Sequence, residues 1–259
     1  MKGKMEKIIS NFKDKIKKSP VFGFFSKTID PAFIECMGHA GLDFVILDLE
    51  HGPNNLISLS NLIRAAQVVN ILPVVRIKEG DNNLISNVLD IGAGAVQVPH
   101  VKNIDDIKTL RQYSKFFPDG SRGMCRFVRA ANYSAMDQYE YFKNANKTIN
   151  IIQIEGKEGL ENIDAMIEYG GFDILFIGPY DLSQSLGIPG QVQDPLVEDA
   201  MKKITEKCEK KNITVGTFCD NIDSAKKWIC AGVKYLSYSV DVGIFYESSK
   251  EIVSKLKET

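Results

Sequence analysis

Short apolar runs alternate with segments of helical periodicity from residue 21 to the end of the chain. Helical spacing of apolar side chains runs through residues 55–69, 200–211 and 221–231. The apolar runs are typical of buried strands, and they lie at residues 21–25, 44–47, 73–75, 95–98, 150–154, 174–177, 214–218 and 235–239. Strand and helix alternating in this way predict an α/β fold, a parallel sheet closed as a (β/α)8 TIM barrel. An open doubly wound sheet is the alternative.

The N-terminal segment, residues 1–18, has the pattern of an amphipathic helix. Ile8, Ile9, Phe12 and Ile16 share one side of a segment that is otherwise rich in lysine. We expect this helix to pack over the bottom of the barrel, and a membrane-surface helix is the alternative. No Pro/Ser-rich linker or repeat interrupts the chain, so residues 1–259 are predicted to form one barrel domain.

The longest irregular stretch covers residues 117–136, between the fourth and fifth strands. Arg122, Arg126 and Arg129 recur here, with Phe127 and Tyr133 between them. Long loops in compact domains are usually functional or disordered. The mixture of cations and aromatic side chains argues against a disordered linker.

Composition argues against several classes of partner. The net charge of −1, from 32 basic and 33 acidic residues, leaves no electrostatic footprint for nucleic acid. No run approaches the ~20 apolar residues of a spanning helix, and no apolar signal core opens the chain. The five cysteines are odd in number and lack CxxC spacing, as in proteins with reduced thiols. We therefore expect a cytoplasmic protein without membrane or nucleic-acid partners.

Five of the apolar runs end directly in polar side chains of the kind that act in catalysis. In α/β barrels the C-terminal ends of the strands build the active site, so five such endings predict a single site. The residues are Asp48, Glu50 and His51 after the second strand, Arg76 after the third, His100 after the fourth, Gln153 and Glu155 after the fifth, and Gly178, Pro179, Tyr180 and Asp181 after the sixth.

Glu155 and Asp181 follow consecutive strands, which would place their carboxylates side by side. Two facing carboxylates repel unless a cation lies between them. Mg²⁺ or Mn²⁺ suits such a pair, because these ions bind through one or two carboxylates with further oxygen ligands. A glycosidase pair is the alternative, although Arg76 favours an anionic substrate. The structural alternative is that Glu155 and Asp181 do not act together and each only begins a helix.

Arg76 and His51 are the predicted catalytic side chains. The planar guanidinium of Arg76 suits an enolate or carboxylate oxygen, and a salt bridge to Glu50 or Glu155 is the structural alternative. His51 lies three residues beyond Asp48, which could orient its imidazole as a general base. His100 is expected to lie behind the groups that touch the substrate.

The segment from Gly178 to Ser183 has the pattern of a tight turn that opens a short helix. Backbone N–H groups at such a start can hold a small carboxylate, here on the amides of Tyr180 and Asp181. No GxGxxG motif follows the first strand, which argues against a dinucleotide site.

Taken together, these stretches resemble the HpcH/HpaI aldolase family, the metal-dependent class II pyruvate aldolases. The resemblance extends over residues 20–245 in family order. Its matching segments are residues 40–43, 48–54, 75–76, 89–93, 122–123, 129–130, 153–155 and 177–183. The chain departs from the family at Ser239-Val240-Asp241, where Gly-Ser-Asp is usual, and at residues 124–127, where smaller residues are usual. By this resemblance, the loop from Arg122 to Tyr133 is expected to shape access for the second substrate.

The resemblance implies a barrel that assembles into hexamers of paired barrels and exchanges its last helix, residues 241–257, with a neighbouring subunit. It implies Mg²⁺ or Mn²⁺ on Glu155 and Asp181, chelated by an oxo-acid such as pyruvate. Arg76 would stabilise the enolate oxygen, while His51 with Asp48 would transfer a proton. Gln153 would position substrate. Residues expected around these groups are Glu50, Asp90, which would reach a neighbouring subunit's site, His100, Arg122 and Arg129.

Three functions follow as hypotheses. The first is a metal-dependent carbon–carbon lyase acting on 4-hydroxy-2-oxo acids. The second is a citrate synthase that condenses oxaloacetate with acetyl-CoA for siderophore synthesis, with a carboxylate or CoA phosphate received by the loop from Arg122 to Arg129. The third is a non-enzymatic scaffold, against which the full set of polar strand-end residues argues.

Overall fold

The computed structural model describes residues 3–258 and contains a closed barrel of eight parallel strands. Each strand pairs with the next in the chain, and β1 pairs with both β2 and β8. The (β/α)8 prediction is therefore confirmed, and the open sheet is wrong because the sheet has no free edge. The strands are β1 Val21–Ser26, β2 Phe44–Asp48, β3 Leu72–Arg76, β4 Ala95–Val98, β5 Ile149–Ile154, β6 Ile174–Ile177, β7 Thr214–Cys219 and β8 Tyr235–Val240.

Helices follow or precede the strands around the barrel. Asn or Asp side chains cap several of them, as at Asn55 and Asn103, where the amide oxygen accepts N–H groups of the first turn. The helices are α1 Lys4–Lys18, α2 Pro31–His39, α3 Leu56–Val68, α4 Asn82–Asp90, α5 Ile104–Ser114, α6 Gln138–Ala145, α7 Lys157–Glu161, α8 Ile163–Tyr169, α9 Pro179–Ser185, α10 Pro195–Lys210, α11 Ile222–Cys230 and α12 Asp241–Lys257.

Two-residue alternation along β2 separates the barrel interior from the helix layer. Phe44 and Ile46 join the apolar cluster inside the barrel, whereas Val45 and Leu47 join the cluster beneath the helices. Asp48 follows in the phase of the interior residues, so its carboxylate reaches the C-terminal mouth of the barrel. The same phase carries polar side chains to that mouth from β3, β4 and β5, namely Arg76, Gln97 and Gln153.

The N-terminal mouth of the barrel is apolar and is covered by α1. Ile8, Ile9, Phe12 and Ile16 of this helix are buried, as their spacing predicts, and they pack on the first residues of the strands. Phe12 meets the ring of Phe44 edge-on, with ring centroids 6.2 Å apart. The prediction of a helix over the bottom of the barrel is confirmed for Lys4–Lys18, while residues 1 and 2 lie outside the described residues.

The segment between α5 and β5 lies at this same N-terminal end. It contains a 3-10 helix, Arg129–Ser134, and α6, which the apolar periodicity did not predict. The 3-10 helix packs on α4 and α6. The expectation that this segment shapes access to the catalytic mouth of its own barrel is wrong, because a connection from a helix to the next strand returns to the N-terminal end.

The C-terminal helix α12 contacts β1 and β8 and leaves much of its surface open. Its exposed apolar side chains include Phe245, Tyr246, Ile252, Val253 and Leu256. Exposed apolar side chains are compatible with packing against a neighbouring subunit, and the exchange of α12 between subunits stays a prediction. Within residues 3–258, no helix combines the length and apolar character that a membrane span requires.

Candidate active site

A cavity of about 290 Å³ opens at the C-terminal mouth of the barrel. Its walls combine charged and polar side chains from strand ends with five apolar ones. Most of the residues that the sequence singled out line it: His51, Arg76, Gln153, Glu155, Gly178, Pro179, Tyr180 and Asp181. The remaining lining residues are Phe25, Lys27, Phe176, Phe218, Asp220 and Val240.

Asp48 and Arg76 form a buried, two-pronged ion pair below the cavity. Arg76 donates from Nε to Oδ1 at 2.9 Å and from NH2 to Oδ2 at 2.8 Å. Lys27 Nζ donates to Oδ2 at 2.8 Å. Burial by itself would raise the pKa of Asp48, but the hydrogen bonds and charges of Arg76 and Lys27 lower it to about 2. Asp48 is therefore an anion at neutral pH that contacts two cations.

The third nitrogen of the Arg76 guanidinium contacts Glu50. NH1 lies 2.9 Å from Glu50 Oε2, and the guanidinium carbon lies 4.7 Å from the centroid of the Phe25 ring. Burial opposes the charge, but the bond to Asp48 and the charges of Asp48 and Glu50 raise the pKa of Arg76. The protein thus supplies the salt bridge to Glu50 that the sequence left open, while Arg76 still lines the cavity.

His51 is placed differently from its predicted pairing with Asp48. Asp48 Oδ1 accepts the backbone N–H of His51 at 3.4 Å, whereas the imidazole Nε2 lies 3.9 Å from Glu50 Oε2. The predicted imidazole–Asp48 pair is wrong because Arg76 and Lys27 already occupy both oxygens of that carboxylate. The imidazole is 60% exposed and stands at the edge of the cavity.

Glu155 is almost fully buried at the end of β5 and accepts several hydrogen bonds. Gln153 Nε2 donates to Oε2 at 2.5 Å, and Gln97 Nε2 donates to Gln153 Oε1 at 2.5 Å. Burial raises the pKa of Glu155 to about 7; the bond from Gln153 and the charge of His100 oppose this rise, and the charge of Asp181 adds to it. The interior carboxylate is therefore short of positive charge.

His100 bridges two acidic side chains. Its backbone N–H donates to Glu155 Oε1 at 2.9 Å, while its ring nitrogens lie 3.2 Å from Glu155 Oε1 and 3.3 Å from Glu50 Oε1. A positive φ of 52° turns its backbone toward Glu155. His100 thus contacts both carboxylates without being among the residues that line the cavity, and its role behind the catalytic groups stays a prediction.

The turn after β6 brings backbone and carboxylate close to Glu155. Gly178 precedes α9, and a Cβ at this position would overlap the Glu155 carboxylate, so the close approach requires glycine. Asp181 lies in the first turn of α9 and acts electrostatically on Glu155. Tyr180 donates its hydroxyl to Asp220 at 2.5 Å, and that bond with burial raises the pKa of Tyr180 to about 12.

The carboxylate pair matches the needs of a hard divalent cation. Glu155 and Asp181 line one cavity and repel each other, and both offer oxygen ligands. No group of three or more His, Cys, Asp or Glu side chains in the described part of the chain has metal-binding geometry. The remaining ligands of a cation here would therefore be substrate and water oxygens, and Mg²⁺ is commonly coordinated in this way.

Asp90, Arg122 and Arg129 lie away from this cavity, at the N-terminal end of the barrel. Arg122 contacts Asp90 at the end of α4, and Arg129 NH1 donates to the Ile91 carbonyl at 3.1 Å. The expectation that both arginines surround the catalytic groups of their own barrel is wrong, since they belong to the segment that returns from α5. A contact of Asp90 with a neighbouring subunit's site stays a prediction.

Three polar residues of the mouth were missed by the sequence reasoning. Lys27 directly follows β1, Asp220 directly follows β7, and Asp241 directly follows β8. Asp241 is buried and accepts the Ser26 hydroxyl at 2.7 Å and the Lys27 backbone N–H at 3.0 Å. The strand-end rule that identified the other five endings would have found all three.

The HpcH/HpaI aldolase/citrate lyase family model matches residues 21–248. The chain belongs to this family. The predicted resemblance is confirmed, and with it the class of enzyme, an aldolase-type carbon–carbon lyase. A hydroxypyruvate/pyruvate aldolase of Paraburkholderia phytofirmans is 31% identical to the chain over 261 residues, which span 98% of this chain and 100% of that protein.

Solved structures of the family share the whole architecture. A family member from Burkholderia cenocepacia superposes with a TM-score of 0.90 at 27% identity, over 97% of this chain and 99% of that one. The citrate synthase SbnG superposes with a TM-score of 0.84 at 30% identity, over 98% and 97%. Protein CitE of Mycobacterium tuberculosis shares the fold at 13% identity, with a TM-score of 0.59 over 88% of each chain, and was solved with magnesium and acetoacetate.

Proposed function

We propose that the protein cleaves or forms 4-hydroxy-2-oxo acids through an enolate of the pyruvate type, with a divalent cation. The observation that carries the proposal is the position of Glu155 beside Asp181, in one cavity with Arg76. Burial, with a smaller contribution from the charge of Asp181, raises the pKa of Glu155, and a bound cation would keep this carboxylate ionised. Relatives named as aldolases support the choice of reaction.

Glu155 and Asp181 would hold Mg²⁺ or Mn²⁺ at the C-terminal mouth. The bound cation would supply positive charge that spreads the negative charge of an enolate. Gln153 holds the Glu155 carboxylate in place through its 2.5 Å hydrogen bond, and Gln97 holds Gln153. The backbone amides of Tyr180 and Asp181 would receive the substrate carboxylate.

Arg76 would stabilise the enolate oxygen. Asp48 holds two of its nitrogens, so its position is set before substrate arrives, and preorganised charge of this kind is usually the largest catalytic contribution. His51 stands at the open edge and would exchange protons between substrate and solvent. Phe25, Phe176 and Phe218 line the cavity and would exclude water from the enolate.

Exchange of the pyruvate methyl protons with deuterated solvent tests this function without requiring the aldehyde partner. We expect fast exchange with Mg²⁺ or Mn²⁺, loss of exchange on chelation, and a loss on the order of 10²-fold or more in Arg76→Ala. Arg64→Ala is the matched control, because Arg64 is an exposed helix residue that contacts Asn61. Wild-type exchange by Arg76→Ala, or exchange that survives chelation, would contradict the proposal.

Condensation of oxaloacetate with acetyl-CoA is the second candidate, favoured by the likeness to the citrate synthase SbnG. In this chain Lys27 adds a second cation to the cavity wall, where it could receive another carboxylate. The loop from Arg122 to Arg129 does not supply that charge within one barrel. Incubation with both substrates and a thiol reagent distinguishes the reactions, since only condensation releases the CoA thiol.

The assembly is also proposed. We expect a homo-oligomer, a hexamer of paired barrels in which α12 covers part of a neighbour, and its exposed apolar side chains support this. Light scattering of the purified chain tests it, and a monomer at all concentrations would exclude it. All five cysteines are free in the structure, which supports the expected cytoplasmic location.

A further inference from the structure

Lys27 lines the catalytic cavity, and the proposed aldol reaction gives it no part so far. It directly follows β1, and its side chain is 25% exposed, so a substrate in the cavity can reach the ammonium group. Nζ donates to Asp48 Oδ2 at 2.8 Å, which is the only hydrogen bond of this ammonium within residues 3–258. An ammonium group carries three N–H donors. Two donors of Lys27 therefore remain for oxygen atoms in the cavity.

Both ends of Lys27 are held in place by carboxylates. Asp241, the first residue of α12, accepts the backbone N–H of Lys27 at 3.0 Å and the Ser26 hydroxyl at 2.7 Å. The ammonium is held by Asp48, whose two oxygens are in turn bound by Arg76. A donor fixed in this way loses little conformational freedom when a substrate binds, and preorganised donors stabilise developing charge effectively.

The position of Lys27 relative to Arg76 suits two oxygens of a 4-hydroxy-2-oxo acid. Arg76 NH2 and Lys27 Nζ both lie 2.8 Å from Asp48 Oδ2, so the two nitrogens are no further apart than twice that distance. In the substrate, a single methylene group separates the carbon that carries the C2 oxygen from the carbon that carries the C4 hydroxyl. When Arg76 contacts the C2 oxygen, the C4 oxygen therefore lies within reach of Lys27.

We propose that Lys27 is a further catalytic residue, which donates a hydrogen bond to the C4 oxygen of the substrate; this inference rests on the proposed function. In cleavage, the C4 hydroxyl gives its proton to His51 or solvent, and the bond between C3 and C4 breaks. The electron pair of that bond forms the enolate, while C4 becomes the aldehyde carbonyl. Lys27 stabilises the negative charge on the C4 oxygen and keeps its own protons. In condensation, the same donor polarises the aldehyde carbonyl.

Two reactions of the full-length protein with Mg²⁺ separate this role from a structural one. Exchange of the pyruvate methyl protons forms the enolate without any C4 oxygen, whereas condensation of pyruvate with glycolaldehyde creates that oxygen. In Lys27→Met, which removes the charge at similar length, condensation should fall on the order of 10²-fold, as for the loss of one oxyanion donor. The loss in condensation should exceed the loss in exchange by about tenfold or more.

Other variants control for charge and folding. Lys27→Arg keeps a cation at this position and should retain more condensation than Lys27→Met. Lys102→Met is the matched control, because Lys102 is an exposed lysine at the same end of the barrel that pairs with Glu79 outside the cavity. Circular dichroism establishes that each variant is folded, and Lys27→Gln, whose amide can still donate to Asp48, replaces Lys27→Met if that variant does not fold.

The paired measurements also distinguish this inference from the proposed function. A wild-type chain that neither exchanges nor condenses contradicts the proposed function itself and removes the basis of the inference. If the wild-type chain performs both reactions and Lys27→Met loses them equally, Lys27 only holds Asp48 and the inference is overturned. Condensation at the wild-type rate in Lys27→Met overturns it as well.

Discussion

Two buried carboxylates at the same mouth of the barrel have opposite electrostatic surroundings. Asp48 meets two cations, and Arg76 and Lys27 lower its pKa to about 2. Glu155 meets neutral amides, His100 and the like charge of Asp181, and its pKa is raised to about 7. Burial alone would raise the pKa of both groups, so the difference lies in their partners.

The region around Asp48 is electrostatically balanced by the protein itself, whereas the region around Glu155 is not. Around Asp48 the charges balance inside the protein, which keeps Arg76 rigid. Around Glu155 the missing charge must come from outside, either as a proton or as a metal ion. The three predictions below test this contrast, in order of decreasing effect.

Removing the charge of Asp48 should destabilise the fold most. Asp48→Asn removes the anion that the buried Arg76 and the half-buried Lys27 share, and breaking such a buried pair costs about 3–5 kcal/mol. Urea unfolding at neutral pH measures the free-energy change. Asp105→Asn is the control, since Asp105 forms an exposed pair with Lys108.

The pH dependence of the same variant has a defined sign. The native pKa of Asp48 is lowered, so its contribution to stability is present above its ordinary pKa of 3.8 and is lost as the pH falls through about 2. The stability difference between wild type and Asp48→Asn should therefore shrink only in strong acid. A difference that disappears near neutral pH would mean that Asp48 is not the anion of this region.

Removing the charge of Glu155 should have the opposite effect on the metal-free protein. Glu155→Gln deletes a carboxylate that folding disfavours, and we expect unfolding at about pH 8 to cost on the order of 1–3 kcal/mol more. The native pKa is raised, so the advantage of protonated Glu155 is complete below 4.5 and is lost as the pH rises through about 7. The gain should thus vanish in acid.

Glu158→Gln provides the control for this measurement, because Glu158 is exposed three residues further along the chain. Addition of Mg²⁺ should stabilise the wild-type chain and leave Glu155→Gln unchanged. Equal stabilisation of both chains by Mg²⁺ would show that the ion binds elsewhere.

The smallest effect concerns competition between protons and the cation. Below the native pKa of Glu155, about 7, the apparent Kd for Mg²⁺ should rise up to about tenfold per pH unit, and above it the Kd should level off. Calorimetric titrations across neutral pH measure this break. Asp181→Asn should weaken binding throughout and move the break to lower pH, since it removes the like charge. A Kd independent of pH would contradict the assignment.

The location of the catalytic mouth could be predicted from the sequence because all the strands of the barrel run in the same direction. Parallel strands place all their C-terminal residues at one mouth, so Arg76 and Glu155 had to meet there. The same reasoning extends to Lys27 and Asp220, which also follow strands. The same rule explains why Arg129 does not lie at the catalytic mouth. It belongs to the segment that follows α5, and a segment that follows a helix of the barrel begins at the N-terminal end.

Side-chain partners were less predictable than location. His51 lies three residues from Asp48, yet the Asp48 carboxylate is filled by Arg76 and by Lys27, which is 21 residues away in sequence. Competition among several donors for one acceptor depends on distances that sequence spacing does not contain.

The amino-acid sequence alone determined the closed barrel, the apolar plug at its N-terminal mouth and the set of charged residues at its C-terminal mouth. These follow from periodicity and chain direction, which are local properties. Only the tertiary structure decided that Asp48 is balanced by cations while Glu155 is not, and that Arg122 pairs with Asp90 at the other end of the barrel. Electrostatic balance and cavity walls depend on which distant side chains come within a few ångströms, and that is set by packing of the whole chain.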